Sequence, residues 1–366
     1  MNVRRNVFAT TAGIIVTGAV IGILAIILQY NGNPPNMGIC VACFERDIAG
    51  ALGLQRAAIV QYLRPEIIGL VLGSMVAALI FGNFRPRAGS APVTRFFLGV
   101  VAVMGALVFL GCPWRAVLRL AGGDLNAVLG LAGLFVGIAI GTVFFRRGYS
   151  LGRNVPQGKL AGFMFPALML AFLALLIAFP QIPGQDKDGI LFYSVSGPGS
   201  MHAPLWLSLG AALIIGFIAQ RSRFCTMGAV RDMILFRQGH LFLGLLAMFV
   251  AAFIMNLVLG SFHPGFENQP VAHSDGVWNF LGMLLAGYGC VLLGGCPLRQ
   301  LVLSGEGNTD SAITVLGLMA GAAMAHNFGL ASSGEGPTAN GKIAVVIGLA
   351  VVTAIACLGT FGTKRK

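Results

Sequence analysis

Ile39-Cys40-Val41-Ala42-Cys43-Phe44-Glu45-Arg46-Asp47 returns in the second half of the chain as Phe224-Cys225-Thr226-Met227-Gly228-Ala229-Val230-Arg231-Asp232. Cys40, Arg46 and Asp47 thus recur as Cys225, Arg231 and Asp232. Further on, Gly111-Cys112-Pro113-Trp114-Arg115 recurs, in nearly the same register, as Gly295-Cys296-Pro297-Leu298-Arg299. Gly133-Leu134-Phe135-Val136-Gly137 then keeps that register with Gly317-Leu318-Met319-Ala320-Gly321. The offset is close to half of the 366-residue chain, so one duplication fills it, with repeats at 1–183 and 184–366. The residues kept between the copies are cysteine, arginine, aspartate, proline and glycine. Packing alone does not select that set in a chain built mostly of aliphatics.

The chain is 57% hydrophobic and only 10% charged, with mean hydropathy +0.85, whereas a soluble domain carries about 25% charge. Apolar runs of about 20 residues recur, long enough for a ~30 Å hydrocarbon core. The expected fold is an all-α polytopic membrane protein, its two repeats forming one integrated transmembrane domain. The 52 glycines fit helices that pack closely in a membrane. Ten spans are expected, at about 7–29, 66–83, 95–112, 124–145, 161–180, 204–220, 240–261, 276–295, 309–325 and 343–361, five in each half. The segment 7–28 follows Arg4 and Arg5 like a signal peptide, but it is long and lacks a small-residue cleavage site. It reads as a retained first helix.

The net charge of +12 could indicate a nucleic-acid partner, but orientation in a membrane explains it better. With the N-terminus inside, the segments 1–6, 84–95, 146–160 and 362–366 hold twelve basic residues: Arg4, Arg5, Arg85, Arg87, Arg95, Arg146, Arg147, Arg153, Lys159, Lys364, Arg365 and Lys366. The outside loops 181–203, 262–275 and 326–342 hold only Lys187 and Lys342. Both termini are therefore expected in the cytoplasm, in a multi-pass protein of the cell inner membrane. Because five is odd, the second half enters from the opposite side, giving an inverted repeat. Such repeats place their site near the midplane, on broken helices.

Four segments, about 39–56, 112–121, 224–237 and 296–305, carry the duplicated motifs. They are too short or too charged to cross and too apolar for ordinary loops. They read as re-entrant elements, since irregular backbone is tolerated at membrane depth only inside protein or a wet cavity. In Gly-Cys-Pro, the proline stands where a helix begins, so Cys112 and Cys296 are expected at helix N-termini, as are Cys40 and Cys225. A helix N-terminus carries about half a positive charge and is a ready anion site. Four such ends meeting at the midplane would form an electropositive constriction ringed by sulfur, suited to a small anion bearing a soft atom.

Arg46, Asp47, Arg115, Arg231, Asp232 and Arg299 are the supporting candidates, because ionisable residues inside a membrane are functional by default. The plainer reading of the Arg–Asp pairs is a brace for the re-entrant helices. For Arg115 and Arg299, anion attraction and structural pairing stay equally open. Cys40 and Cys43 form a C-x-x-C that could be a redox pair, although Gly228 replaces Cys43 in the copy. Cys290 and Cys357 lack counterparts and read as buried thiols. Asp124-Leu125-Asn126 and Asn308-Thr309-Asp310 read as helix N-caps, and His326-Asn327 as polar packing at a helix end. Four thiols could hold zinc or copper, but the neighbouring arginines repel a cation and no His accompanies a motif. No metal, cofactor or enzymatic role is expected, and no nucleotide-binding motif is present.

At these residues the chain resembles the YeeE/YedE family of membrane proteins that import sulfur and selenium compounds. The resemblance rests on C-x5-R-D at Cys40 and Cys225 and on G-C-P-x-R at Cys112 and Cys296, and it covers both halves. The nearest branch is the YedE type, associated with selenium. For thiosulfate-importing members the family picture is an hourglass whose re-entrant cysteines pass the anion along by weak S–H contacts. Carried over by motif, those positions are Cys40, Cys112, Cys225 and Cys296. Cys43 and the Cys-Pro-x-Arg form at both sites depart from the thiosulfate branch, which bears on the substrate more than on the mechanism. The resemblance implies import of a sulfur or selenium anion through an electropositive outer vestibule, past Cys112 and Cys40, then Cys225 and Cys296. A cytoplasmic protein that accepts the sulfur or selenium would fit that role, and a membrane thiol-redox relay through Cys40 and Cys43 is the alternative.

Overall fold

The computed structural model describes residues 6–181 and 189–361. Arg4, Arg5, Lys187, Lys364, Arg365 and Lys366 of the charge count lie outside the described residues. Before the break run α1 (Thr11–Tyr30), α2 (Val41–Ala51), α3 (Pro65–Ile80), α4 (Pro92–Phe109), α5 (Pro113–Ala121), α6 (Asn126–Arg146) and α7 (Lys159–Ala178). After it run α8 (Leu205–Ser222), α9 (Thr226–Phe236), α10 (His240–Val258), α11 (Gly276–Leu293), α12 (Pro297–Gly305), α13 (Thr309–Asn327) and α14 (Ala339–Phe361). The order of long and short helices is the same in both runs. The motif helices match in length: eleven residues for α2 and α9, nine for α5 and α12. Two short strands, β1 (Arg87–Ala88) and β2 (Val155–Pro156), pair antiparallel between loops.

Helix ends follow local chemistry. α1 begins later than the hydropathy pattern predicts because the Thr10 hydroxyl caps it, accepting the Gly13 N–H at 3.1 Å. α4 stops at Phe109, short of the expected 112, because Leu110 turns left-handed (φ 63°). That turn frees Gly111-Cys112 to start α5 on Pro113.

Each of the ten expected spans coincides with a long helix. Eight segments are long and apolar enough to cross a membrane, with α4–α5, α8–α9 and α11–α12 each counted as one. α3 is shorter than these, and α13 is not among the eight. Burial sorts them. The windows in Pro92–Ala121 and Gly276–Gly305 are 83% and 89% buried, whereas those in α7, α10 and α14 are only 28–33% buried. The Gly-Cys-Pro motifs thus belong to the two most enclosed segments, and the apolar outer helices leave most of their side chains exposed.

The packing partners exchange when the halves are swapped. α1 packs on α10 as α8 packs on α3, α4 on α13 as α11 on α6, and α2 on α13 as α9 on α6. α4 and α11 pack on each other at the middle, where a Cβ on Gly105 would come within 2.5 Å of the Gly282 carbonyl oxygen. Only glycine permits that approach, the usual device for close helix packing in membranes.

Candidate functional site

All four motif cysteines are N-caps: Cys40 of α2, Cys112 of α5, Cys225 of α9 and Cys296 of α12. Each has extended backbone, and each is buried. The Cys40 sulfur accepts the Cys43 N–H at 3.5 Å, and the Cys225 sulfur accepts the Gly228 N–H at 3.3 Å. These two thiols do the work that Ser or Asp does at an ordinary helix start. Cys112 and Cys296 are each followed by a proline at the first helical position, where its missing N–H costs nothing.

The four thiols come together as two pairs, one in each half. The Cys112 N–H donates to the Cys40 sulfur at 3.5 Å, and the Cys225 and Cys296 sulfurs lie 3.5 Å apart. Each pair therefore joins the N-termini of two short helices, which doubles the local positive field. The pairs are not isolated from one another, because α2 packs on α12 and α5 on α9. Cys43 adds a third thiol to the first pair, and the Arg115 Nη1 donates to its sulfur at 3.5 Å. Cys290, read as a buried thiol, is buried, and its carbonyl accepts the Gly295 N–H at 3.0 Å beside the second pair.

The charged candidates separate by environment. Asp47 is fully buried between two guanidiniums: Arg46 reaches Oδ1 at 2.8 Å and Arg64 reaches Oδ2 at 2.8 Å. Arg64 also donates to the carbonyls of Met201 and Pro198 and lies over the Phe44 ring at 4.4 Å. This is a brace that ties α2 to the segment before α8. The copy is looser, because Arg231 and Asp232 meet at 2.8 Å with side chains 28% and 20% exposed.

Arg115 and Arg299 occupy matched positions but differ in surroundings. Arg115 is fully buried and donates to the carbonyls of Asn36 and Val271 at 3.1 Å, to the Leu110 carbonyl and to Cys43. Among the described residues it has no carboxylate partner, so its charge stands beside the first thiol pair. Arg299 instead faces Glu306 at 3.6 Å.

Sequence reasoning missed Arg64, Arg119, Glu45 and Glu306. Arg119 is buried, with Asp124 at 2.6 Å and the Phe109 ring at 4.1 Å. Asp124 is therefore an ion-pair partner as well as the acceptor of the Asn126 N–H. Asn308 caps α13 by accepting the Ser311 N–H at 3.2 Å. Glu45 is fully buried, and neither carboxyl oxygen has a partner. Three of the four missed residues have no like-charged copy in the other half: the duplication pairs Glu45 with Val230, Arg119 with Leu303 and Glu306 with Gly122. A search for any charge inside the motif segments would have found Glu45 and Arg119; Arg64 and Glu306 lie just outside the expected segments and carry no such signal.

Two polar cavities bracket this core. One, of about 320 Å³, is lined by Arg85, Arg87, Arg221, Arg223, Arg299 and Glu306, on the side that the charge bias assigns to the cytoplasm. The other, of about 510 Å³, lies among the loops assigned outside, and Glu267 is the charged residue in its lining. In the orientation that the charge bias predicts, this arginine-rich vestibule would face away from the electropositive outer entrance that the resemblance implies. Among the described residues, no group of three His, Cys, Asp or Glu side chains could hold a metal ion.

Residues 221–363 match a family model described as Sulphur transport. The chain is 32% identical over 112 residues to the thiosulfate transporter TsuA of Spirochaeta thermophila, an overlap of 31% of this chain and 33% of that protein. It is 29% identical over 124 residues to the thiosulfate transporter TsuA of Escherichia coli, covering 32% of this chain and 33% of that one. The matched region spans about a third of the length of these curated relatives.

Proposed function

We propose that this chain, which belongs through its second half to the YeeE/YedE sulphur-transport family, moves a small sulfur- or selenium-containing anion across the membrane past its cysteines. The observation that carries the reading is the pairing of Cys40 with Cys112 and of Cys225 with Cys296, each pair at two buried helix N-termini. Helix ends and the uncompensated Arg115 supply positive charge without a metal's tight grip. Thiols supply weak S–H donors to a soft terminal sulfur or selenium. An anion held by several weak donors enters readily and leaves readily, as conduction requires.

The substrate is thiosulfate or a selenium oxoanion, and the path runs from the outer loops past Cys112 and Cys40, then Cys225 and Cys296, into the cytoplasm. This order takes the two halves to be inverted repeats that line opposite sides of the constriction. Uptake of labelled thiosulfate and of labelled selenite into cells expressing the chain, each with the other anion, sulfite and sulfate as unlabelled competitors, tests the reading. Uptake above that of empty cells, suppressed by the preferred anion but not by sulfate, is expected. No uptake of any labelled anion by a chain that reaches the membrane would refute it.

A second reading has one observation in its favour. The donor from Arg115 to Cys43 would stabilise a thiolate in a Cys40–Cys43 redox pair. Trapping a mixed disulfide at Cys40 or Cys43 would select it.

A further inference from the structure

The arginine-lined cavity has too many cations for its anions. Arg85, Arg87, Arg221, Arg223 and Arg299 share about 320 Å³ with one carboxylate, that of Glu306. Glu306 divides itself between Arg87 and Arg299, at 3.6 Å from each, longer than a charge-assisted hydrogen bond. Among the described residues Arg85 and Arg223 meet no carboxylate. Arg221 is only 9% exposed, lies over the Phe81 ring at 3.8 Å, and its Nε has no partner. The Arg299 Nη1 is likewise buried without a hydrogen-bond acceptor. Buried guanidinium donors left open in this way call for an acceptor, and five arginines against one carboxylate favour an anion of more than one charge.

Its position gives the cavity a role. Arg223 stands two residues before Cys225 and Arg299 three residues after Cys296, so chain neighbours of both thiols of the second pair line the cavity. A planar guanidinium matches two oxygens of a tetrahedral oxoanion at once. The volume holds such an ion with several waters.

We propose that this arginine cup binds a small divalent oxoanion, and that Glu306 is a tethered counter-ion which the ligand displaces. That the ligand is the transported sulfur anion leaving the Cys225–Cys296 pair rests on the transport reading; the anion site itself does not. Inorganic phosphate and a phospholipid headgroup share the chemistry, so the test separates these sources.

The full chain is placed in nanodiscs of phosphatidylcholine, in a Cys112→Ser/Cys296→Ser background that weakens any thiol contribution. Binding of labelled thiosulfate and labelled phosphate is then measured at low salt. Saturable binding is expected, with thiosulfate at least as tight as phosphate. Arg85→Gln/Arg223→Gln, at two exposed positions that leave the core intact, should weaken it about tenfold. Glu306→Gln should tighten it about threefold by removing the competitor. Absence of saturable binding, or equal affinity in the double arginine variant, overturns the proposal. Phosphate binding that excludes thiosulfate, or anion binding abolished by phosphatidylglycerol in the nanodisc, overturns the assignment to the sulfur anion. The transport reading fails separately. Intact binding by purified protein with no cellular uptake leaves the cup and removes the transporter; normal uptake with no binding does the reverse.

Discussion

Asp47 and Asp232 stand at the same place in two copies of one motif, and replacing each by Asn should have very different costs. Asp47 is fully buried, and each of its oxygens meets a guanidinium at 2.8 Å. Asp47→Asn keeps the shape but leaves Arg46 and Arg64 as buried cations with no compensating charge. Removing one partner of a buried ion pair costs about 3–5 kcal/mol. Arg64 keeps its two carbonyl partners and its place over Phe44, which holds it in the core and prevents it from escaping to solvent. Asp232 and Arg231 are 20% and 28% exposed and can rehydrate, so Asp232→Asn should cost about 0–1 kcal/mol. Reversible unfolding in mixed micelles with increasing dodecyl sulfate gives both values against the parent chain. Equal effects, or a loss below about 1 kcal/mol for Asp47→Asn, would refute the idea that environment rather than motif sets the role of these residues.

Other substitutions bear on the same core. Cys43→Ser should keep most uptake, because serine still accepts from Arg115 and the copied motif manages with Gly228; complete loss, matching Cys40→Ser, would favour the redox reading. Arg115→Gln should reduce both stability and uptake, since it removes donors to three carbonyls and the charge beside Cys40, whereas Arg299→Gln should fold normally; uptake assayed beside membrane abundance separates the two. Topology reporters placed at Gly152 and Gly239 should report the cytoplasm and those at Gly189 and Gly334 the opposite side. All four on one side would remove the inverted repeat.

Most of the fold could be read from the sequence because the duplication and the hydropathy pattern are both long-range signals. The motif helices began where Gly-Cys-Pro and the C-x5-R-D elements placed them, because proline and an N-capping side chain act within one turn. What escaped was set by tertiary contact. The two arginines of the Gly-Cys-Pro-x-Arg motifs look identical in sequence. Their difference comes from the Val271 and Asn36 carbonyls around one and from Glu306 beside the other. Arg64 lies well beyond one helical turn from Asp47, and no local pattern pairs them. The pairing of cysteines within each half, and the position of the arginine cup, depend on how short helices pack rather than on any spacing along the chain.

The central claim is that the paired thiols handle the transported anion. Serine at Cys112 and Cys296 keeps size and a hydrogen-bond donor but removes the polarisable sulfur. Initial rates of labelled thiosulfate or selenite uptake, normalised to protein in the membrane, should fall to near background for Cys112→Ser, Cys296→Ser and the double variant. Wild-type rates in the double variant would contradict the account.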